Sequence, residues 1–312
     1  MALDAPARAR LREDHPVTRF TPGRPAAQLL CLLLLLLTAA CSDTAAPEAT
    51  APEATAPEAT APDTAAPDRT PPGDASPQRN RWRPAPGTTW QWQLQGRVDL
   101  GVDAEVFDID GFENGADTVA ALHARGRKVI CYLNAGAWED FRPDRDDYPP
   151  QVLGRGNGWP GERWVDIRRL DVLRPILAAR VDMCAEKGFD AVEPDLLDGY
   201  RNDTGFPLTA GDQLAFNRMV AGLAHRRGLS VGLKNDLDQI PQLVDDFDFA
   251  VNEECAEFGE CAKLAPFTER GKAVFHAEYA LNPQEFCDTS RRLGLSSIRK
   301  RLGLDAWRRT CR

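Results

Sequence analysis

A short unit recurs along this 312-residue chain: an amphipathic stretch, a glycine stop, then an apolar run. Arg125-Gly126 precedes Val129, Lys187-Gly188 precedes Ala191, and Arg227-Gly228 precedes Val231. A basic last turn followed by glycine is how many helices end. A β-branched apolar run directly after it reads as a buried strand. Eight strand candidates, at 88–94, 104–110, 128–134, 190–196, 230–235, 248–253, 273–279 and 296–301, alternate with helical segments such as 115–125, 170–187, 211–227 and 237–245. Steady alternation of this kind predicts a parallel sheet. Eight strands within residues 82–312 predict an α/β fold closed as a (β/α)8 TIM-type barrel. A doubly wound open sheet is the alternative, but no GxGxxG follows any strand, so a dinucleotide fingerprint is missing.

The first 81 residues have a different character. Arg8, Arg10, Arg12, Arg19 and Arg24 precede the apolar run Leu29–Leu37, and Thr38-Ala39-Ala40 leads to Cys41. This is the layout of an export signal, and the run is too short to span a bilayer. Cys41 after Thr-Ala-Ala resembles a bacterial lipobox, in which the cysteine is lipidated; a cleaved secretory signal is the alternative. Residues 1–41 are therefore expected to be a signal peptide. Residues 42–81 are expected to be a disordered linker, because Ala-Pro-Glu-Ala-Thr recurs at 46–50, 51–55 and 56–60 and such a composition builds no core. Residues 82–312 remain as the folded domain. The protein is expected at the cell surface, in the periplasm or secreted, touching a membrane only through an N-terminal lipid anchor, and monomeric.

The net charge of −9 argues against nucleic acid as a partner, which requires a basic stripe. Six cysteines follow Cys41, an even number that in an exported domain suggests disulfides. Cys255 and Cys261 are spaced to clip one loop, and Cys287 and Cys311 to tie down the C-terminus. Cys131 and Cys184 are left by elimination. Zinc binding has little support, with no CxxC pair and four histidines, of which His276 alone lies on a strand candidate. No GxSxG is present for a serine nucleophile. No cofactor and no metal are expected.

Two apolar runs end in acid: Phe189-Asp190-Ala191-Val192-Glu193-Pro194-Asp195 and Phe249-Ala250-Val251-Asn252-Glu253-Glu254. In a barrel, the C-terminal strand ends form the active face. Nearly every candidate strand ends there in polar or aromatic side chains: Trp90 and Trp92; Asp108 and Asp110; Tyr132 and Asn134; Glu193, Asp195 and Asp198; Lys234, Asn235 and Asp236; Asn252, Glu253 and Glu254; His276, Glu278 and Tyr279. For any one of them, proximity to a loop is explanation enough; for seven strands together it is not. Aromatic faces stack on sugar rings, and paired carboxylates cut glycosidic bonds. Strand alternation puts Ala191, Glu193 and Asp195 on one face. It leaves open whether Glu253 or Glu254 points inward. The stretch 137–168 breaks the repeat, being rich in Asp, Pro and Gly, and its Trp138, Trp159 and Trp164 suggest an ordered wall for a sugar.

Six segments taken in order resemble glycoside hydrolase family 114, the endo-α-1,4-polygalactosaminidases. They are Trp90-Gln91-Trp92-Gln93-Leu94, Phe107-Asp108-Ile109-Asp110, Val129-Ile130-Cys131-Tyr132-Leu133-Asn134-Ala135-Gly136, Glu193-Pro194-Asp195-Leu196-Leu197-Asp198-Gly199-Tyr200, Gly232-Leu233-Lys234-Asn235 and Val251-Asn252-Glu253-Glu254-Cys255. The resemblance spans residues 82–312. It implies a (β/α)8 barrel that hydrolyses α-1,4-linked galactosamine in partly deacetylated galactosaminogalactan. It also implies a catalytic Asp and Glu at Asp195 and Glu253, which selects Glu253 over Glu254. The substrate-binding residues expected around them are Trp90, Asp110, Tyr132, Asn134, Glu193, Asp198, Tyr200, Lys234, Asn252 and Tyr279. The family pattern has Asn after the Asp and Gln after the Glu, where this chain has Leu196 and Glu254. Two other readings of the residues are a non-catalytic carbohydrate-binding barrel and, with less support, a metal hydrolase.

Overall fold

The computed structural model describes residues 81–311. The expected signal segment, Cys41 and the repeat linker lie outside the described residues.

Eight parallel strands form one curled sheet. In chain order the elements are β1 (Trp90–Gln93), β2 (Val106–Asp110), α1 (Ala116–His123), β3 (Lys128–Asn134), β4 (Ala137–Glu139), β5 (Leu153–Gly156), β6 (Glu162–Val165), α2 (Leu170–Glu186), β7 (Ala191–Asp195), α3 (Ala210–Arg226), β8 (Ser230–Lys234), α4 (Ile240–Leu243), β9 (Phe249–Glu253), α5 (Ala265–Glu269), β10 (Val274–Glu278), α6 (Pro283–Leu293), β11 (Ser296–Arg299) and β12 (Arg309–Thr310). The main sheet runs β1-β2-β3-β7-β8-β9-β10-β11-β12, and only β12 is antiparallel to its neighbour. Each predicted strand is present, with ends within two residues of those expected.

Alternation along these strands builds two cores. Trp90, Val106, Ile130, Ala191, Val251, Phe275 and Ile298, one from each of seven parallel strands, belong to a single buried cluster. A sheet can bring those residues together only by curling its inner face around them. The intervening residues, such as Phe107, Val129, Val192 and Val231, pack outward into a larger cluster shared with the helices. Burying such a side chain stabilises the fold by about 1.5–3 kcal/mol. The eighth strand, β8, supplies Gly232 to the interior, where a Cβ would meet the Phe249 ring at 2.4 Å. Glycine there lets the phenylalanine fill the barrel axis.

The architecture is TIM-like, with a seam where a closed barrel was expected. Among the described residues no strand ladder joins β11 to β1. The Trp90 indole instead donates to Ser296 O at 2.8 Å, and the Leu94 amide donates to Leu304 O at 3.0 Å. The glycine stops behave as the sequence suggested: Gly126, Gly188 and Gly228 have φ of 72°, 86° and 76°. α3 and α6 open with capping boxes, Thr209 with Asp212 and Asn282 with Glu285.

The stretch 137–168 is a small antiparallel sheet in the order β4-β6-β5. A buried ionic ladder fixes its base to the barrel. Arg142 donates to both oxygens of Asp110 at 3.1 and 2.7 Å and to Glu139 at 3.0 Å. Arg180 on α2 grips Asp144 and donates to Asn134 O at 2.6 Å.

All three suggested disulfides are formed. Cys131–Cys184 joins β3 to α2, Cys255–Cys261 closes the loop after β9, and Cys287–Cys311 ties α6 to the C-terminal tail. They mark an oxidising, extracytoplasmic setting. At the opposite end of the barrel from the strand termini discussed below, Ala273 donates to Pro84 O at 2.9 Å and the Trp82 ring lies 6.4 Å from Phe249.

Candidate active site

Three neighbouring strands end in the three charged residues that organise the cleft: β7 in Asp195, β8 in Lys234 and β9 in Glu253. The Lys234 ammonium lies 3.0 Å from Asp195 Oδ1, 3.0 Å from Glu193 Oε1 and 3.4 Å from Glu253 Oε2. Its Nζ stands 4.6 Å from the centroid of the Trp92 ring. A cation over an indole face is favourable, more so when dry.

Each carboxylate has its own second support. Tyr132 Oη donates to Asp195 Oδ2 at 2.8 Å, and the Leu196 amide donates to Oδ1 at 2.9 Å. Tyr279 Oη donates to Glu253 Oε1. The Asn235 side chain donates to Glu253 Oε2 at 3.3 Å, and its oxygen accepts from the Glu253 amide at 3.0 Å. Burial alone would raise the Asp195 carboxyl. The Lys234 charge, the Lys234 and Tyr132 bonds and the Leu196 amide outweigh it and hold Asp195 below the usual aspartate range. Asp195 is thus held as an anion. Burial, then the Asp195 charge, push the neighbouring Asp198 up to about 6. Asp236 is raised to about 8, by burial and then by Asp198.

The turns that carry these groups are strained. Leu196 follows β7 at φ 61°, Asn235 follows β8 at φ 52°, and Glu254 follows β9 at φ 61°. Non-glycine residues seldom adopt the left-handed region. Here the kink turns the chain sharply after Asp195, Lys234 and Glu253. Gly136 leaves room for it, since a Cβ at that position would fall 1.9 Å from Leu196 O.

The cleft has a volume of ≈ 270 Å³. Of the residues expected to bind substrate, Tyr132, Asp198, Lys234 and Tyr279 line it beside Asp195 and Glu253. Glu193 lies fully buried directly beneath, holding Lys234. The others are elsewhere. Trp90 is in the barrel core, its ring 5.1 Å from Phe275. Asp110 is neutralised by Arg142, and Asn134 accepts from the Ala137 amide at 2.9 Å to shape the turn into β4. Asn252 is buried on the outer side of β9 and donates to Asn235 at 3.3 Å. Tyr200 lies off the cleft in a short helical turn and receives no lining role.

Other lining residues are Trp92, Trp159, Trp164 and the turn Leu302–Leu304 after β11. Trp92 shares an inward face with Trp90 but lies two residues nearer the active end, a difference that strand direction alone discloses. Trp159 and Trp164 come from the inserted sheet, whereas Trp138 packs against the core and donates to Arg145 O at 3.0 Å.

A curled parallel sheet with paired carboxylates and aromatic walls at its C-terminal rim is the architecture of a glycosidase barrel. Residues 72–312 match the model of glycoside-hydrolase family GH114, and the chain belongs to that family. It is a glycoside hydrolase. Among solved structures it is similar to Ega3 of Aspergillus fumigatus, crystallised with galactosamine, at 40% identity and a TM-score of 0.71; the match covers 74% of this chain and 98% of that one. The glycoside hydrolase domain of PelA from Pseudomonas aeruginosa shares the fold at 14% identity and a TM-score of 0.57, over 71% of this chain and 98% of that one. A protein of Deinococcus radiodurans with no described function is 27% identical over 292 residues, 82% of this chain and 89% of the relative.

Proposed function

We propose that the protein hydrolyses α-1,4-galactosaminidic bonds in partly deacetylated galactosaminogalactan-type polysaccharides, with Asp195 as nucleophile and Glu253 as acid/base. The observation that carries this reading is the single ammonium of Lys234 held between the two carboxylates. The ammonium lies 3.0 Å from an Asp195 oxygen and 3.4 Å from a Glu253 oxygen, so those two oxygens stand no more than about 6.4 Å apart. A separation within that bound favours the retaining mechanism, for which carboxyl groups lie about 5–5.5 Å apart, over an inverting one, for which they lie about 6.5–9.5 Å apart.

In the first step an Asp195 oxygen forms a bond to the anomeric carbon as the glycosidic bond breaks, and Glu253 gives its proton to the departing oxygen. In the second, Glu253 takes a proton from water, whose oxygen displaces Asp195. Lys234 and Tyr132 keep Asp195 ionised before attack and take up its charge again on release. The acidic cleft favours an amino sugar, with Asp198 and Glu162 as further carboxylates in its lining. The 40% identity to a protein that binds galactosamine supports the same sugar here.

The lipobox-like Cys41 supports tethering to a membrane. The described chain begins against the N-terminal ends of β8 and β10. Exchanging Cys41 for serine should move the protein from the membrane fraction to the medium.

The direct test is digestion of defined galactosaminogalactan by the full chain, with mass analysis of the products. Wild-type protein should release oligosaccharides. Asp195→Asn and Glu253→Gln should each lower the rate by about 10³-fold or more while melting normally. Full activity in either variant would refute the assignment.

A further inference from the structure

Beneath the cleft the barrel holds one more carboxylate, which the two-step reaction does not use. Asp108 is fully buried on β2, flanked in register by Trp92 on β1 and Ile130 on β3. Its carboxyl lies close enough to Glu193 for the two groups to shift one another's protonation. Among the described residues, no N–H or hydroxyl reaches either Asp108 oxygen, or Glu193 Oε2. The other Glu193 oxygen is taken by Lys234 at 3.0 Å. Two ionised carboxylates cannot face one another in a dry interior with no donor between them. A single proton converts the contact into a strong bond and satisfies both groups.

We propose that Asp108 is kept as a neutral carboxylic acid that donates its proton to Glu193 Oε2, and that it acts as a positioning residue for Lys234. The inference rests on the assignment of Asp195 and Glu253 as the reacting pair. Around Lys234 stand four carboxylates: Asp108, Glu193, Asp195 and Glu253. With the proton on Asp108, Glu193 is a singly charged anchor that holds the ammonium from below. The ammonium then donates upward to Asp195 and stays paired with Glu253 at 3.4 Å. Were Asp108 ionised, two anions would draw the ammonium down into the barrel and away from the cleft. The surroundings favour the neutral acid: burial first, then the Glu193 charge, push Asp108 well above the usual aspartate range. Asp195 adds to the push and Lys234 opposes it. These groups, from β7 and β8, are the charges that face Asp108.

The test compares full-length Asp108→Asn and Asp108→Leu with wild type. An asparagine amide supplies the same donor without a titrating proton; leucine removes the donor and strands Glu193 Oε2. Asp108→Asn is expected to keep kcat within about threefold, whereas Asp108→Leu should lower it by about tenfold or more with little change in KM. An independent readout is the infrared difference spectrum between wild type and Asp108→Asn at pH 9, above the values of about 6 and about 8 that Asp198 and Asp236 reach. Wild type should show the carbonyl band of a protonated carboxylic acid that the asparagine variant lacks. Absence of that band, or an asparagine variant as impaired as the leucine variant, would overturn the proposal. If Asp108→Leu does not fold, the band and the asparagine variant decide by themselves. Inactive wild-type protein that still shows the band would count against the hydrolase assignment and leave the Asp108 proton standing.

Discussion

Asp195, Glu193 and Asp198 lie within six positions of one another, yet their surroundings give them different tasks. Asp195 meets an ammonium, a phenol and an amide, and stays ionised. Glu193 is buried beneath it. Asp198 has less compensation, and its value of about 6 has a consequence for stability. Its folded value exceeds the unfolded one, so its contribution is complete below about pH 4 and is lost as pH rises through about 6. Asp198→Asn should therefore stabilise the protein at pH 8, by up to about 3 kcal/mol, and hardly at pH 4. Thermal melts at the two pH values check this; an equal gain at both would contradict it. The left-handed turn at Leu196 makes a second prediction. Leucine is poorly suited to φ 61°, while asparagine adopts that region readily. Leu196→Asn should raise stability by about 1 kcal/mol in denaturant titrations without loss of activity. A loss of stability would mean that Leu196 side-chain packing outweighs the backbone. At this scale the sequence was legible only in part. Alternation put Glu193 and Asp195 together but left Glu253 and Glu254 undecided, and the family resemblance made that choice. Trp90 and Asp110 were expected in the cleft because sequence position gives neither depth along a strand nor the presence of Arg142.

Glycine stops and β-branched runs are local signals, so strand and helix positions could be read almost residue by residue. The inserted sheet could not. β4, β5 and β6 are each three or four residues long, in a stretch of Pro, Gly and Asp. Their pairing is set by partners distant in sequence: Arg142 to Asp110, and Arg180 to Asp144 and the end of β3. This ladder holds the inserted sheet, and with it Trp159 and Trp164, against the barrel rim. Removing one partner strands buried carboxylates. Arg142→Leu is expected to destabilise the domain by about 3 kcal/mol or more and to raise KM through loosened aromatic walls. A variant with unchanged melting and KM would show that the ladder is not what holds the insertion.

At the scale of the molecule, three disulfides fasten elements that the curled sheet alone leaves open: β3 to α2, the loop after β9, and the tail beside the β11–β1 seam. The seam itself was not legible, because eight strands of the right spacing imply closure whether or not a ladder completes it. Hydrogen bonds from the Trp90 indole and the Leu94 amide span it instead, and the same segment delivers Leu302–Leu304 to the cleft wall. The whole arrangement brings Asp195 and Glu253, 58 positions apart in the chain, to a single ammonium. The most direct measurement of that central claim is proton NMR of α-1,4-linked galactosamine oligomers during digestion, read before the new reducing ends mutarotate. The account predicts that they appear first as the α-anomer, retained through a covalent Asp195 intermediate. First appearance of the β-anomer, or no cleavage at all, would contradict it.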